Sequence, residues 1–219
     1  MPRKTNDRLM KEHLIICEGR DGQEFLIRYL NSQALSYDPR FSDDIQVNDF
    51  GGNSELYKYL EILKNTSGYE RLRSLMIIRD AENDAETAVR ETQSALRKAD
   101  LAVPLEPHLW TGDVLKIGFV LFPTCGDIVE DGTLEDLCLA ILAEPQAGEI
   151  LKEIDSFLMM LGEAHQRDFP RIFKNRLHTY FSVHNDHVSF KIGEAAAAGA
   201  FDWRSERLDL LKRFMEKMF

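Results

Sequence analysis

Acidic side chains cluster at two places in the sequence, and each cluster directly follows a run of apolar residues. The first, within CEGRDG, contains Glu18 and Asp21. The second, within MIIRDAENDAE, contains Asp80, Glu82, Asp84 and Glu86. Carboxylates held close together repel one another unless a cation lies between them. Because Mg²⁺ binds oxygen ligands of this kind, the spacing favours a metal site, with helix caps and solvated turns as the alternative.

Short apolar runs alternate with amphipathic stretches, and this alternation predicts the elements that would position the acids. Strands are predicted over 13–17, 44–53, 74–80 and 116–123. Helices are predicted over 23–33, 54–65, 84–100, 134–142, 149–164, 168–185 and 206–219. The segment EGRDG (18–22) is predicted as an acidic turn between the first strand and the first helix. At the start of the third helix, Asp84 is also a candidate N-cap, and Glu86 suits the positive end of the helix dipole.

Strand–turn–helix units in succession are typical of a parallel sheet covered by helices. We therefore predict an α/β fold with a central, mostly parallel sheet, and a helical C-terminal extension. The predicted division is a core over 1–145 and an extension over 146–219 packed on it, with a single domain over 1–219 as the alternative. Function in such sheets gathers at the carboxyl ends of the strands. If the first and third strands are neighbours, Glu18 and Asp80 lie at the same edge.

The composition limits the classes of function. The chain has 219 residues, of which 44% are hydrophobic, and a net charge of −10, so the basic footprint of a nucleic-acid binder is missing. Neither GxxxxGK[ST] nor GxGxxG occurs, which argues against P-loop and dinucleotide sites. Three scattered cysteines favour free thiols in a reducing compartment, with Cys17 and Cys138 in the core. Without a signal peptide or a long apolar segment, we predict a cytoplasmic protein with no membrane partner.

The two acidic motifs resemble the signature of the Toprim family, whose members include topoisomerases, bacterial primases, recombination proteins and overcoming-lysogenization-defect (OLD) nucleases. That signature is E-G-x-x-D after an apolar strand, followed by a D-x-D-like element after a later strand. Here LIICEGRDGQEFL supplies the first motif, and MIIRDAEND supplies the second, with Asp80 and Glu82 at the D-x-D positions. Glu82 departs from the usual second Asp. The runs NDFGGNSELYKYL and FVLFPTCGDIVEDGTLEDLCL are similar to small stand-alone Toprim proteins related to the Toprim half of OLD nucleases.

The resemblance implies a Rossmann-like Toprim fold and a phosphodiester hydrolase that uses Mg²⁺ or Mn²⁺ to cut DNA or RNA. The implied metal ligands are Glu18, Asp21, Asp80, Glu82, Asp84 and Glu135. The implied catalytic residues are Glu18, Asp80 and Lys174. The residues expected to contact phosphate are Gly19, Gly52, Arg171 and Lys174. By analogy with the family, an ATPase or another protein partner would control the activity.

Two other interpretations stay open at the level of sequence. A non-catalytic or partner-activated module that binds metal or nucleotide is favoured by the net charge of −10, because an acidic protein captures a polyanion poorly. In a purely structural interpretation, the acids are only helix caps and turns. The remaining candidates are interpreted as surface or packing residues: His178, His184, His187, Trp110 and Trp203.

Overall fold

Four parallel strands form one sheet in the computed structural model, which describes residues 8–124 and 129–219. The strands are β1 (His13–Glu18), β2 (Ile45–Gly51), β3 (Ser74–Asp80) and β4 (Lys116–Phe122). Their order is β2-β1-β3-β4, and each neighbouring pair is parallel. The predicted α/β fold with a parallel central sheet is therefore confirmed. The first and third strands are neighbours, so the condition for Glu18 and Asp80 to lie at the same edge is met.

The helices flank the sheet and continue beyond it. They are α1 (Gly19–Leu30), α2 (Arg40–Asp43), α3 (Leu56–Lys64), α4 (Ala85–Lys98), α5 (Leu134–Ala140), α6 (Ala147–His165), α7 (Ile172–Val183), α8 (Ile192–Ala197) and α9 (Asp209–Glu216). Short 3₁₀ turns cover Asn53–Glu55, Tyr69–Arg71 and Glu206–Leu208. Within the described ranges, no helix is both long enough and apolar enough to cross a membrane.

Two apolar layers cover the two faces of the sheet, because successive side chains of a strand point to opposite faces. On one face, Leu75 and Ile77 of β3 pack with residues of α3 and α4. On the other, Met76 and Ile78 pack with residues of α1 and of α5 to α9. Residues after 146 thus share an apolar core with the sheet. The predicted domain boundary at 145 stays a prediction. Cys17 and Cys138 are buried free thiols, and Cys125 lies outside the described residues.

The predicted turn over EGRDG is wrong, because α1 begins at Gly19, directly after β1. Gly19 has a φ of +72°, a conformation that glycine adopts without strain. Gly22 is buried with its α-carbon facing Cys17, where a Cβ would lie 3.7 Å from the cysteine side chain. That distance is an ordinary van der Waals contact, so α1 starts packed directly against β1. As a result, Glu18 is the N-cap of α1 and Asp21 lies in its first turn.

Candidate functional site

A cavity of about 310 Å³ opens at the carboxyl ends of β1 and β3, and we call it the acidic cavity. Its acidic lining residues are Glu18, Asp21, Asp80, Glu82 and Glu135. Its basic lining residues are Arg20, Arg171 and Lys174, and Gly19 and Gly52 line it as well. Of the predicted site residues, only Asp84 is missing from the lining. Motifs that lie far apart in the sequence therefore meet around one space.

The Glu18 carboxylate, at the end of β1, accepts backbone hydrogen bonds from residues at the ends of the two neighbouring strands. Its Oε2 accepts a hydrogen bond from the backbone N–H of Asp80 at 3.4 Å, and the N–H of Asn53 also donates to it. Burial raises the pKa of the Glu18 carboxyl, and the charge of Glu82 adds to this, whereas Arg79 and the two N–H donors lower it. A half-buried carboxyl with a raised pKa can accept a proton more readily than an exposed one.

Asp80 ends β3 and lies against the start of α5. Its Oδ1 accepts a hydrogen bond of 2.8 Å from the backbone N–H of Leu134, the first residue of that helix. Burial raises the pKa of Asp80 well above its ordinary value, and the charges of Glu18 and Glu135 raise it further. Three carboxyls are thus close enough to affect one another's ionisation. Such a cluster is stabilised either by protonation or by a cation.

Glu135 lies one residue further along α5 and is only 6% exposed. Its Oε1 lies 3.2 Å from the Nζ of Lys174, which α7 carries. The side chain of Lys174 is 43% exposed, so it reaches from the surface into the acidic cavity. The acid and the lysine that the resemblance selected are therefore in direct contact.

Glu82 and Asp84 take different places after β3. The backbone of Glu82, with a φ of +57°, exchanges two hydrogen bonds with Gly132, at 2.8 and 2.6 Å. This bridge fixes the exposed Glu82 at the edge of the cavity. The carboxylate of Asp84 instead accepts from the backbone N–H and hydroxyl of Thr87, at 2.9 and 2.6 Å. Asp84 is therefore the N-cap of α4, as the alternative interpretation had it, and its predicted role as a metal ligand has no support from its position.

Arg79 was not selected from the sequence, although a charge inside the apolar run MIIRD was a signal. Its side chain is 2% exposed, and one guanidinium nitrogen lies 3.1 Å from Oε2 of Glu91 on α4. The Nε of Arg79 has no hydrogen-bond partner among the described residues. Its charge lowers the pKa of the Glu18 carboxyl. Arg79 therefore places a buried positive charge behind the strand end that carries Asp80.

The remaining aromatic and histidine candidates lie outside the acidic cavity. Trp203 stacks with Tyr29, and Trp110 stacks with Phe214, which confirms that both tryptophans are packing residues. The rings of His184 and His187 stack on each other with centroids 3.9 Å apart. These histidines do not line the acidic cavity.

The acidic cavity offers oxygen ligands, and three of its carboxyls, those of Glu18, Asp80 and Glu135, have protein partners. Among the described residues, no three His, Cys, Asp or Glu side chains converge in the arrangement of a metal site. Asp80 accepts from Leu134, and Glu135 pairs with Lys174. The all-oxygen donor set suits Mg²⁺ or Mn²⁺. The raised pKa values of Glu18 and Asp80 also fit a place where a cation would relieve buried negative charge.

Comparison with known proteins yields one match. Residues 12–219 match the model of a family described as "Protein of unknown function (DUF3226)". No curated protein and no solved structure matches the chain. Because the family model covers nearly the whole sequence, this protein belongs to the DUF3226 family.

Proposed function

We propose that this protein is a Toprim-type phosphodiester hydrolase that uses Mg²⁺ or Mn²⁺ to cut nucleic acid. The observation that carries the proposal is the meeting of Glu18, Asp80, Glu135 and Lys174 around one cavity. The resemblance selected these residues from four separate segments of the chain. Their convergence at the carboxyl ends of adjacent parallel strands supports a shared chemical role.

The purely structural interpretation accounts for some of the acids and fails for others. Asp84 caps α4, and Glu86 lies in the first turn of that helix with Arg90 one turn away, so neither needs another role. Asp80 is different, because it is largely buried beside two further carboxyls. A fold gains nothing from burying several acids together, since each loses its hydration and repels the others. Such a costly arrangement is typical of functional sites.

In the proposed reaction, Glu18, Asp80 and Glu135 would hold the divalent ion, with Glu82 and Asp21 at the edge of the site. The ion would supply a nucleophilic hydroxide near neutral pH and neutralise charge on the phosphoryl oxygens. Lys174 provides a point charge that stabilises the negative phosphate in the transition state. Arg171 and Gly52 line the same cavity and would bind flanking phosphate oxygens. Glu18 is placed to accept the proton of the attacking water.

Cleavage assays with matched variants test the proposal. Labelled single- and double-stranded DNA and RNA are incubated with Mg²⁺ or Mn²⁺ and wild type, Asp80→Asn or Glu86→Gln. We expect Asp80→Asn to lower cleavage roughly 10²- to 10³-fold, the scale of losing one group that stabilises a transition state. Glu86→Gln removes the same charge outside the cavity and should keep activity within about twofold, as a surface change does. Undiminished cleavage by Asp80→Asn, or none by wild type on any substrate, contradicts the proposal.

A partner-activated or non-catalytic module is the second candidate, and the net charge of −10 favours it. An acidic surface slows the capture of a polyanion, so an ATPase or another chain would have to present the substrate. Calorimetry with Mg²⁺, Mn²⁺ and nucleotides separates the two functions. Tight nucleotide binding without cleavage supports this second candidate.

A further inference from the structure

Glu135 and Lys174 form an ion pair with unequal partners. The Glu135 side chain is 8% exposed, whereas the Lys174 side chain is 43% exposed, and the two charged atoms are 3.2 Å apart. A buried carboxylate without a partner is costly, so the lysine stabilises the acid where it lies. The long lysine stem, in contrast, can carry its ammonium into water by rotation about its own bonds. The acid is therefore the fixed member of the pair and the lysine is the movable one.

We propose that Lys174 is a built-in counter-cation of Glu135 that a divalent ion must displace, so that metal binding frees the ammonium group for a substrate phosphate. This inference rests on the proposed function. It adds a role for Lys174 in the protein before substrate arrives. Before metal binds, Lys174 competes with the ion for Glu135. Once the ion is bound, the freed ammonium group assists the reaction at the phosphate.

The surroundings of the pair favour such an exchange. Asp80 lies close enough to Glu135 for their charges to interact, and Glu18 affects Asp80 in the same way. One lysine neutralises one of these charges, whereas a divalent ion neutralises two. A divalent ion bound at Glu135 also repels an ammonium group within about 4 Å. α5 and α7 contact each other and bury Leu137 and Leu177 in the same apolar core, which holds both backbones in place. The exchange therefore needs movement of the lysine side chain only.

The exchange predicts opposite effects of one substitution on two measured quantities. Lys174→Met keeps an unbranched side chain and removes the competing charge, so metal binding should tighten. The same change removes the charge that stabilises phosphate, so cleavage should slow. A lysine that acts only on the substrate would leave metal affinity unchanged. A lysine that only supports the fold would weaken metal binding when replaced.

Titration calorimetry of the full chain with Mn²⁺ tests the inference. Lys174→Met and Lys174→Gln should bind Mn²⁺ roughly 3- to 30-fold more tightly than wild type, the range expected for a partly buried ion pair. Lys174→Arg, which keeps the charge, should stay near wild type. Lys152→Met removes an exposed lysine of α6 outside the acidic cavity and should change affinity by less than about twofold. Unchanged or weaker binding by both neutral variants overturns the inference.

A second measurement uses the wild-type protein and needs no substitution. In a sample with ¹⁵N-labelled lysine side chains, Mg²⁺ should shift the Lys174 ammonium signal and speed its exchange with water, because the ion pair opens. A Lys174 signal that stays unchanged at saturating Mg²⁺ overturns the inference. If wild type binds and cleaves while these tests fail, only this inference is lost. If wild type binds no divalent ion, the proposed function fails together with it.

Discussion

Asp80 is the residue at which stability and the proposed function conflict most directly. Burial and two neighbouring acids raise its pKa, so folding of the metal-free protein favours the protonated carboxyl. A group whose pKa is raised on folding contributes stability below its unfolded pKa, and that contribution is lost as the pH rises through the folded value. The metal-free protein should therefore lose stability as the pH rises above about 4, the ordinary pKa of an aspartate, and a divalent cation should offset the loss.

Replacing Asp80 by Asn should stabilise the metal-free protein although it lowers cleavage. The amide keeps an oxygen that can accept from Leu134 but carries no charge. In EDTA at about pH 8, we expect the melting temperature to rise by roughly 2–4 °C, the size of a ~1 kcal/mol change in a chain of this length. Mg²⁺ should then raise the melting temperature of wild type more than that of the variant. A variant that melts below wild type in EDTA contradicts this expectation.

At the scale of the elements, β4 and α9 pack closely against each other at Gly118. A Cβ at Gly118 would lie 2.5 Å from the ring of Phe214 and 3.0 Å from that of Trp110. Such distances force the two aromatic rings, which stack with centroids 4.6 Å apart, to move. The close contact between the last helix and the sheet therefore requires glycine at this position.

Gly118→Ala should destabilise the protein by about 1–3 kcal/mol, the usual cost of overpacking a core. The matched control is Gly148→Ala in α6, where a Cβ meets no atom within 4 Å and helix propensity improves. That variant should be neutral or up to ~1 kcal/mol more stable. Urea unfolding of both variants measures the difference. Equal stabilities would show that the Gly118 contact is unimportant.

The bounds of a strand or helix could be predicted where its burial produces a simple pattern of apolar residues in the sequence. The buried strand β3 was predicted with the bounds that it has, because its central residues 75–78 form the apolar run expected of a strand covered on both faces. The start of α1 was not predictable, because two glycines and an aspartate normally indicate a turn. In the structure, Gly19 takes a positive φ and α1 begins directly at the end of β1.

The residues of the acidic cavity likewise divide into those that the sequence could bring together and those whose contacts depend on packing. Glu18 and Asp80 could be paired from sequence, because parallel neighbours bring their ends together. The contact of Glu135 with Lys174 depends on how α5 packs against α7, and sequence spacing does not encode that packing. Arg79 was missed because its partner, Glu91, lies on another element.

At the scale of the whole molecule, a histidine pair gives the fold a dependence on pH. His187 stacks on His184, and burial lowers the pKa of His187, with the charge of His184 lowering it further. Asp186 and Glu144 act in the opposite direction. The unfolded chain therefore binds the proton more readily than the folded one, and stability is lost as the pH falls below about 6.5.

Between about pH 7.5 and 5.5, the melting temperature of wild type should therefore fall relative to that of His187→Phe, because the opposite contribution of Asp80 is common to both proteins. Phenylalanine keeps a ring against Phe190 and cannot take up a proton. The variant should keep the part of the histidine-linked loss that comes from His13, because burial also lowers the pKa of His13. His165→Phe, at the exposed end of α6, should retain the wild-type profile. Parallel profiles for wild type and His187→Phe would contradict the assignment.

The direct passage from β1 into α1 also constrains how this protein can change in length. Each added residue rotates the following part of a helix by about 100°. One residue inserted between Gly19 and Asp21 would turn Asp21 away from the acidic cavity, and a deletion would do the same in the opposite sense. The segment that joins Glu18 to Asp21 should therefore accept substitutions but no insertions or deletions, whereas the exposed turn at Asp113 and Val114, between α4 and β4, should accept both.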